Sequence, residues 1–246
     1  MRKRMARGTL DISLAKDYLS ALCDSDVKEA VEESVDSDRV RSLLRSLARN
    51  TAQQVTNATL AADVNADGLG MSEPTLRKYM TALRRLFVIR ESPAWAPSLR
   101  SKTPLRISPT MYLCDPSLAA AALDASPEAL LSDLETMGFL FENLCVRDLR
   151  VYMRSLGGGV FHYRDKTGLE ADAIVRLDSS RWGAVEIKLG GARRIDEAAE
   201  HLAKLADRVD AAKSGKPAFL MVLTGGRYAY TRSDGVHVVP LGCLCR

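Results

Sequence analysis

Four ionisable residues in the second half of the sequence have the types and the order of a metal-dependent hydrolytic site. They are Glu142, Asp172, Glu186 and Lys188. Carboxylate oxygens are the ligands that Mg²⁺ and Mn²⁺ prefer in proteins, so Asp172 and Glu186, with Glu142, are the expected metal ligands. An ammonium group beside such a metal can polarise an attacking water or stabilise charge on a scissile phosphate, and we expect this role for Lys188.

Asp172 and Glu186 are expected to face each other across two neighbouring strands. Alternating apolar and polar side chains predict these strands at residues 169–177 and 182–189. If Leu177 pairs with Arg181 across the short loop between the strands, Asp172 lies directly opposite Glu186. Facing Cβ atoms are then ~4.5–5.5 Å apart, where like charges repel, and a divalent cation would remove that repulsion. Taken alone, the Glu-x-Lys pattern that ends in Lys188 is more often a surface ion pair.

Glu142 is positioned by a long predicted helix at residues 134–155. The residues three and four positions away from it form an apolar stripe that should face the core: Gly138, Phe139, Cys145 and Val146. A carboxylate within such a stripe needs a partner, and the metal or Lys188 is the candidate. Gly138 is expected to let this helix approach the sheet closely.

A basic helix in the first half of the chain is a candidate for nucleic-acid binding. Residues 72–106 hold eight Lys and Arg residues against two acids, whereas the whole chain carries a net charge of +4. Three helices are predicted before a pair of strands, and the third begins with Ser72 as N-cap and Pro74 in its first turn. This order is typical of a winged helix, in which the second helix of the helix-turn-helix pair contacts DNA, although many such modules bind proteins instead. Here that helix carries Arg77, Lys78, Arg84 and Arg85.

The remaining pattern predicts an α/β fold, with an N-terminal helical and winged-helix region followed by a core with a mixed sheet. Further strands are predicted at 160–163, 218–223, 228–230 and 236–240, and a further helix at 195–212. We expect three parts: a helical segment with an acidic linker at residues 1–38, a winged-helix domain at 39–115 and an α/β domain at 116–246.

Longer stretches of the sequence resemble a known family. In the second half they are Gly138-Phe-Leu-Phe-Glu-Asn, Phe161-His-Tyr-Arg-Asp-Lys-Thr-Gly-Leu-Glu-Ala-Asp and Trp182-Gly-Ala-Val-Glu-Ile-Lys-Leu-Gly. These stretches resemble the restriction-endonuclease-like, PD-(D/E)XK superfamily. More closely, they resemble the C-terminal domain of a bacterial family of ATP-binding proteins, in which an AAA-type ATPase precedes a winged helix and this core. Stretches that begin at Leu43, Ser72 and Tyr112 match that family too.

The resemblance implies a restriction-endonuclease-like α/β core whose site is formed by Glu142, Asp172, Glu186 and Lys188. The phosphate-binding loop Gly-x-x-x-x-Gly-Lys-Ser/Thr does not occur in this sequence. We therefore expect the ATPase part to be missing and ATP not to bind in the usual way. We expect a shortened family member, either through natural truncation or because the sequence is a piece of a longer protein.

Composition favours a cytoplasmic protein that does not enter a membrane. Hydrophobic residues make up 46% and charged residues 27% of the chain, close to the averages for soluble globular proteins. No apolar run approaches the ~20 residues that span a bilayer. The basic N-terminus is followed by polar and acidic residues rather than by the apolar stretch of a secretory signal.

Our leading hypothesis is a metal-dependent nuclease that acts on DNA, in which the winged helix supplies affinity and the α/β core supplies chemistry. A homodimer is expected where both strands must be cut. A second hypothesis is a non-catalytic module that binds nucleic acid or a partner protein, because a fold does not guarantee an activity. A third hypothesis is a regulatory protein that acts together with an ATPase on another chain. The acidic residues 24–38 would then form the interface.

Overall fold

The computed structural model describes residues 13–31, 35–97, 108–178 and 181–244. Its fold is mixed α/β, with a helical N-terminal region and a mixed six-stranded sheet in the C-terminal part, which confirms the predicted fold class. No helix in these described ranges is both long and apolar enough to cross a membrane. Three of the basic residues in 72–106 and two residues of the loop between the strands predicted at 169–177 and 182–189 lie outside the described ranges: Arg100, Lys102, Arg106, Ser179 and Ser180.

The chain divides into two compact units. One contains the residues up to Arg90 together with Met111–Leu140, and the other contains Glu91–Thr110 together with the residues from Phe141 onward. All four residues of the expected hydrolytic site belong to the second unit, whereas the basic helix belongs to the first.

The first unit is built mainly from helices. In chain order they are α1 (Ser13–Ala21), a π-helical turn (Leu22–Asp26), α2 (Val27–Val31), α3 (Ser37–Arg49), α4 (Asn57–Ala66), α5 (Glu73–Arg85), α6 (Pro116–Ala122) and α7 (Pro127–Ser132). Two short strands between α5 and α6, β1 (Ile89–Ser92) and β2 (Thr110–Leu113), pair in a two-stranded sheet. Three helices followed by two strands is the order predicted for the winged-helix region.

A side-chain cap determines where α5 begins. The hydroxyl of Ser72 accepts a hydrogen bond from the N–H of Thr75 at 3.3 Å, and Pro74 occupies the first turn, as predicted. Because the start of the helix is fixed, its 3.6-residue period fixes its two faces. The buried face is formed by Leu76, Tyr79, Met80 and Leu83, and the exposed face by Arg77, Lys78, Arg84 and Arg85.

The second unit is centred on the six-stranded sheet. In chain order its elements are α8 (Leu134–Ser155), which enters this unit at Phe141, then β3 (Gly159–Arg164), β4 (Glu170–Arg176), β5 (Trp182–Lys188), α9 (Ala192–Arg208), α10 (Ala211–Ser214), β6 (Leu220–Thr224), β7 (Tyr230–Thr231), β8 (His237–Pro240) and a 3₁₀ turn (Leu241–Cys243). The strand order across the sheet is β3-β4-β5-β6-β8-β7. The long helix α8 has the bounds that its periodicity predicted.

The sheet combines antiparallel and parallel pairs. β4 pairs antiparallel with β3 and with β5, and β7 pairs antiparallel with β8. β5, β6 and β8 pair in parallel, and the chain crosses from β5 to β6 through α9, as a parallel pair requires. The carboxyl ends of β5 and β6 therefore lie at the same end of the sheet, where Lys188 pairs with Thr224.

The segment from Ser92 to Trp95 lies beside β3. The N–H of His162 donates to the oxygen of Pro93 at 3.0 Å, and the N–H of Trp95 donates to the oxygen of His162 at 2.7 Å. The Nδ1 atom of His162 lies 2.9 Å from the oxygen of Ser92. The indole ring of Trp95 packs on that of Trp182, with ring centroids 4.6 Å apart. These bonds hold the segment against the sheet and bury the His162 ring.

Candidate functional site

Asp172, Glu186 and Lys188 come together between β4 and β5. The Nζ atom of Lys188 lies 3.1 Å from Oδ2 of Asp172 and 2.6 Å from Oε2 of Glu186. Glu186 is almost fully buried, at 2% exposure, whereas Asp172 and Lys188 are half-buried. The lysine ammonium thus bridges two carboxylates that belong to different strands.

The strand register is the reason that the two acids meet. The paired residues run from Arg176 with Trp182 to Ala173 with Val185. The next pair in this register is Asp172 with Glu186, the pairing expected from the sequence. The N–H of Ile187 donates to Oδ2 of Asp172 at 2.7 Å, and this bond orients the Asp172 carboxylate toward β5.

The pKa values of Glu186 and Lys188 are both raised, for different physical reasons. Burial raises the pKa of Glu186 above its ordinary range, the charge of Asp172 raises it further, and Lys188 offsets part of the rise. Burial would lower the pKa of Lys188, but the two carboxylates outweigh burial and raise it. Lys188 is therefore cationic at neutral pH, and positive charge beside Glu186 opposes the rise in the pKa of that carboxyl group.

Glu142 is half-buried on α8, one turn before Cys145. Burial raises the pKa of the Cys145 thiol, and the charges of Asp148, Glu142 and Asp172 raise it further, so this thiol lies within electrostatic range of Glu142 and Asp172. Within the part of the chain that the structure describes, no group of three or more His, Cys, Asp or Glu side chains is arranged to hold a metal ion. The structure therefore brings together two of the three predicted carboxylate ligands.

Gly138 is not required for close packing of α8, and this prediction was wrong. A Cβ atom built on Gly138 would meet no described atom within 4 Å beyond its chain neighbours and its own helix backbone. The buried residues of α8 are Leu140, Asn143, Cys145, Val146, Leu149 and Met153. Buried residues of α8 therefore flank Glu142 on both sides.

The donor atoms of the cluster fit a hard divalent cation. Oδ2 of Asp172 and Oε2 of Glu186 both lie within 3.1 Å of one nitrogen, so the two carboxylates can share one positive centre. Mg²⁺ is commonly held by one or two carboxylates, with waters and substrate phosphate as its other ligands. Mn²⁺ accepts the same oxygen ligands.

Family comparison covers both units of the chain. A model described as a domain of unknown function (DUF8612) matches residues 3–129, which is more than half of the chain. The chain belongs to the DUF8612 family. A second model, also described as a domain of unknown function (DUF4143), matches residues 137–244 of this DUF8612 protein. No curated protein matches the chain. Neither description names an activity.

In this DUF8612 protein the exposed face of α5 presents the four residues that were predicted to bind nucleic acid. Arg77 is paired with Glu73 one turn earlier, at 2.8 Å. A groove of about 310 Å³ runs beside this face, lined by Ala30, Val31, Arg77, Lys78, Thr81, Ala82 and Arg85. Basic side chains along a groove can bind phosphate groups without reading a base sequence.

The segment 225–229 of the DUF8612 chain was not among the predicted site residues. It follows β6 directly, and the last residue of β6, Thr224, pairs with Lys188. Arg227 and Tyr228 in this segment are exposed. The sequence contained a signal for it, because Gly225-Gly226 after the apolar residues of β6 marks a turn at a strand end.

Proposed function

We propose that this protein is a metal-dependent nuclease that hydrolyses phosphodiester bonds, with DNA as the expected substrate. The observation that carries the proposal is the position of the Lys188 ammonium within 3.1 Å of both Asp172 and Glu186 on neighbouring strands. Two carboxylates can hold a divalent cation, and an adjacent ammonium can stabilise charge on a phosphate. The three groups together match the needs of phosphodiester hydrolysis.

Each residue of the cluster has a separate role in this proposal. Asp172 and Glu186 would hold Mg²⁺ or Mn²⁺, which when bound lowers the pKa of a water ligand and polarises phosphate oxygens. Lys188 would orient the attacking water or stabilise the negative charge that gathers on the phosphate. Glu142 would act from a greater distance, through a water molecule or by orienting its neighbours. The water oxygen bonds to phosphorus, the P–O ester bond breaks, and the departing oxygen takes up a proton.

The burial of Glu186 supports a chemical role for its neighbours. At 2% exposure this carboxylate lies where electrostatic interactions are screened less than in water. The raised pKa of Lys188 keeps its ammonium charged at neutral pH. A fixed charge in such surroundings stabilises a developing charge without the cost of reorganising solvent.

DNA affinity would come from α5 in the first unit. Arg77, Lys78, Arg84 and Arg85 lie on its exposed face. Such residues bind the phosphate backbone by releasing its counterions, so affinity would be strong at low salt and independent of sequence. The α/β unit would then cut the bound nucleic acid.

A non-catalytic role is the second candidate. The observation that favours it is that the Lys188 ammonium pairs with both Asp172 and Glu186, so the cluster can serve as a structural ion-paired group without a reaction. In that case the chain would bind nucleic acid or a partner protein. An ATPase on another chain is the partner that the family resemblance suggests.

Incubation of the full chain with plasmid DNA and with DNA and RNA oligonucleotides tests the proposal. We expect cleavage in millimolar Mg²⁺ or Mn²⁺ and no cleavage in chelator. The Asp172→Asn variant, purified in parallel, controls for a contaminating nuclease. If no nucleic acid is cleaved in either metal, the nuclease proposal fails and the non-catalytic role is favoured.

A further inference from the structure

The segment from Gly225 to Ala229 begins beside the Lys188 cluster. The N–H of Gly225 donates to the oxygen of Leu189 at 3.2 Å, and Leu189 directly follows Lys188. Lys188 itself pairs with Thr224, and paired strands lie ~4.8 Å apart. The segment therefore starts about one strand spacing from the lysine, at the carboxyl ends of β5 and β6. Ligands of α/β sheets bind preferentially outside the carboxyl ends of the strands.

Both ends of this segment are held in place. The N–H of Gly226 donates to the hydroxyl oxygen of Thr224 at 3.1 Å, and Thr224 is buried. A Cβ atom on Gly225 would lie 3.0 Å from the oxygen of Leu189, so glycine allows the segment to lie against the end of β5. At the other end Tyr230 pairs with Val238. The residues between these anchors are thus displayed from fixed positions.

The displayed side chains have the chemistry to bind a nucleic-acid strand. Tyr228 is 79% exposed, and Arg227 beside it is exposed as well. An exposed tyrosine ring can stack on a nucleobase, and a guanidinium can contact a phosphate. Bases inside a duplex are already stacked and paired, so their faces are not accessible to a side chain. A tyrosine in this position therefore selects an unpaired strand.

We infer that Tyr228 and Arg227 bind an unpaired nucleic-acid strand and present its backbone to the Lys188 cluster, an inference that rests on the proposed nuclease function. Tyr228 stacks on a base, and Arg227 contacts a neighbouring phosphate. The substrate class at this site is single-stranded DNA or RNA, including frayed or gapped regions of a duplex. An intact duplex does not offer a base to Tyr228.

Binding of fluorescent oligothymidylate, oligouridylate and a DNA duplex of equal length tests this inference, with the full chain in chelator so that no hydrolysis interferes. Tyr228→Ala should bind single strands about 5- to 150-fold more weakly, the effect expected for one lost stacking contact. Tyr228→Phe should bind as tightly as the unmodified protein because the ring remains. Arg227→Ala should reduce the slope of log affinity against log salt by about 0.7, the value for one phosphate contact to a single strand.

Tyr18→Ala is the matched control. Tyr18 is 43% exposed on α1, in the first unit, and its loss should leave the affinity for single strands unchanged. Melting temperatures of the variants should match that of the unmodified protein, since the replaced side chains are exposed. Comparison of oligothymidylate with oligouridylate distinguishes DNA from RNA as the bound strand.

Unchanged affinity of Tyr228→Ala for both single strands would overturn the inference, and so would equal weakening for single strands and duplex. Neither result bears on the nuclease proposal, which is tested by metal-dependent cleavage. If the protein binds single strands through Tyr228 but cleaves no nucleic acid in Mg²⁺ or Mn²⁺, strand binding is supported and the nuclease proposal fails. Loss of both binding and cleavage in Tyr228→Ala, with both retained in Tyr228→Phe, supports the inference in full.

Discussion

The side chains of Lys188 and Glu186, two residues apart on β5, meet at 2.6 Å between Nζ and Oε2. Glu186 is 2% exposed, so its carboxylate has lost most of its contact with water, and the ammonium supplies compensating charge. Asp172 reaches the same nitrogen from β4, at 3.1 Å. The fold thus gathers these three groups at one point between β4 and β5.

Replacing Lys188 with Met should lower the free energy of unfolding. Removal of one partner from a fully buried ion pair costs ~3–5 kcal/mol. The cost here should be smaller, because the Lys188 side chain is 29% exposed. Millimolar Mg²⁺ should restore part of the loss, since a divalent cation can compensate the same carboxylates. Urea unfolding with and without Mg²⁺ measures both effects.

The control for this substitution is Lys204→Met. Lys204 forms an exposed pair with Glu200 on α9, and its loss should change stability by less than ~1 kcal/mol. A Lys188→Met protein as stable as the unmodified one would show that Glu186 does not depend on the ammonium.

Millimolar Mg²⁺ or Mn²⁺ should raise the melting temperature of the unmodified protein. A ligand that binds the folded state alone stabilises it by mass action, by about 2.7 kcal/mol at a hundredfold excess over Kd. The rise should vanish in Asp172→Asn, which lacks one of the two charged ligands. Glu170→Gln, at an exposed position of the same strand, should keep the rise. An equal rise in Asp172→Asn would place the ion elsewhere.

Reversing the charge of Arg84 and Arg85 to Glu should weaken binding to duplex DNA of any sequence. Both residues are exposed in the last turn of α5. Each lost phosphate contact should reduce the slope of log affinity against log salt by about 0.9. The control is the same charge change at Arg45 and Arg49, which are exposed on α3. Binding is measured by fluorescence anisotropy at several salt concentrations. Unchanged affinity and slope would favour protein contacts for α5.

His162 should make stability depend on pH. Burial lowers the pKa of this histidine, with a further lowering by Arg164 and a partial offset by its hydrogen bond to Ser92. Its pKa is then lower in the folded state than in the unfolded state, so the unfolded state binds more protons as pH falls. The stabilising contribution of neutral His162 is fully present above the ordinary histidine pKa of about 6.5. It is lost as pH falls from that value to the lowered pKa of the folded state.

Melting temperatures of the unmodified protein and of His162→Gln, compared from about pH 8 to about pH 5, test this dependence. The variant should lose less stability over this interval. The exposed residues His201 and His237 are present in both proteins, so their effects cancel in the comparison. Parallel curves for the two proteins would show that His162 does not contribute.

The hairpin that carries Asp172 and Glu186 followed from local sequence pattern. Alternation determines which residues share a face, and a short loop determines the register. The hydrogen bond assumed across that loop is present, with the N–H of Leu177 donating to the oxygen of Arg181 at 2.9 Å. The start of α5 could also be predicted from local sequence, because the Ser72 hydroxyl accepts a hydrogen bond from the backbone N–H three residues later.

Long-range arrangements did not follow from the pattern. The alternation of one strand does not indicate which partner it will pair with, so the parallel pairs of β6 were not predicted and the segment with Arg227 and Tyr228 was not assigned to the site. The bond between Trp95 and His162 joins residues far apart in the sequence and had no local signal. Helical periodicity assigned Glu142 to a face of α8 but gave no distance to Asp172 or Glu186.

The cleavage rate of Lys188→Ala, measured beside the unmodified protein in Mg²⁺ and in Mn²⁺, shows whether the Lys188 ammonium takes part in phosphodiester hydrolysis. We expect a loss of roughly 10²–10³-fold, the effect of removing one preorganised charge stabiliser. The rise in melting temperature with metal and the binding of DNA should persist in this variant, which shows that it is folded. Glu186→Gln should lose both the metal response and cleavage. Cleavage by Lys188→Ala at the unmodified rate would contradict the assignment of the site, and no metal-dependent cleavage by the unmodified protein would contradict the nuclease proposal.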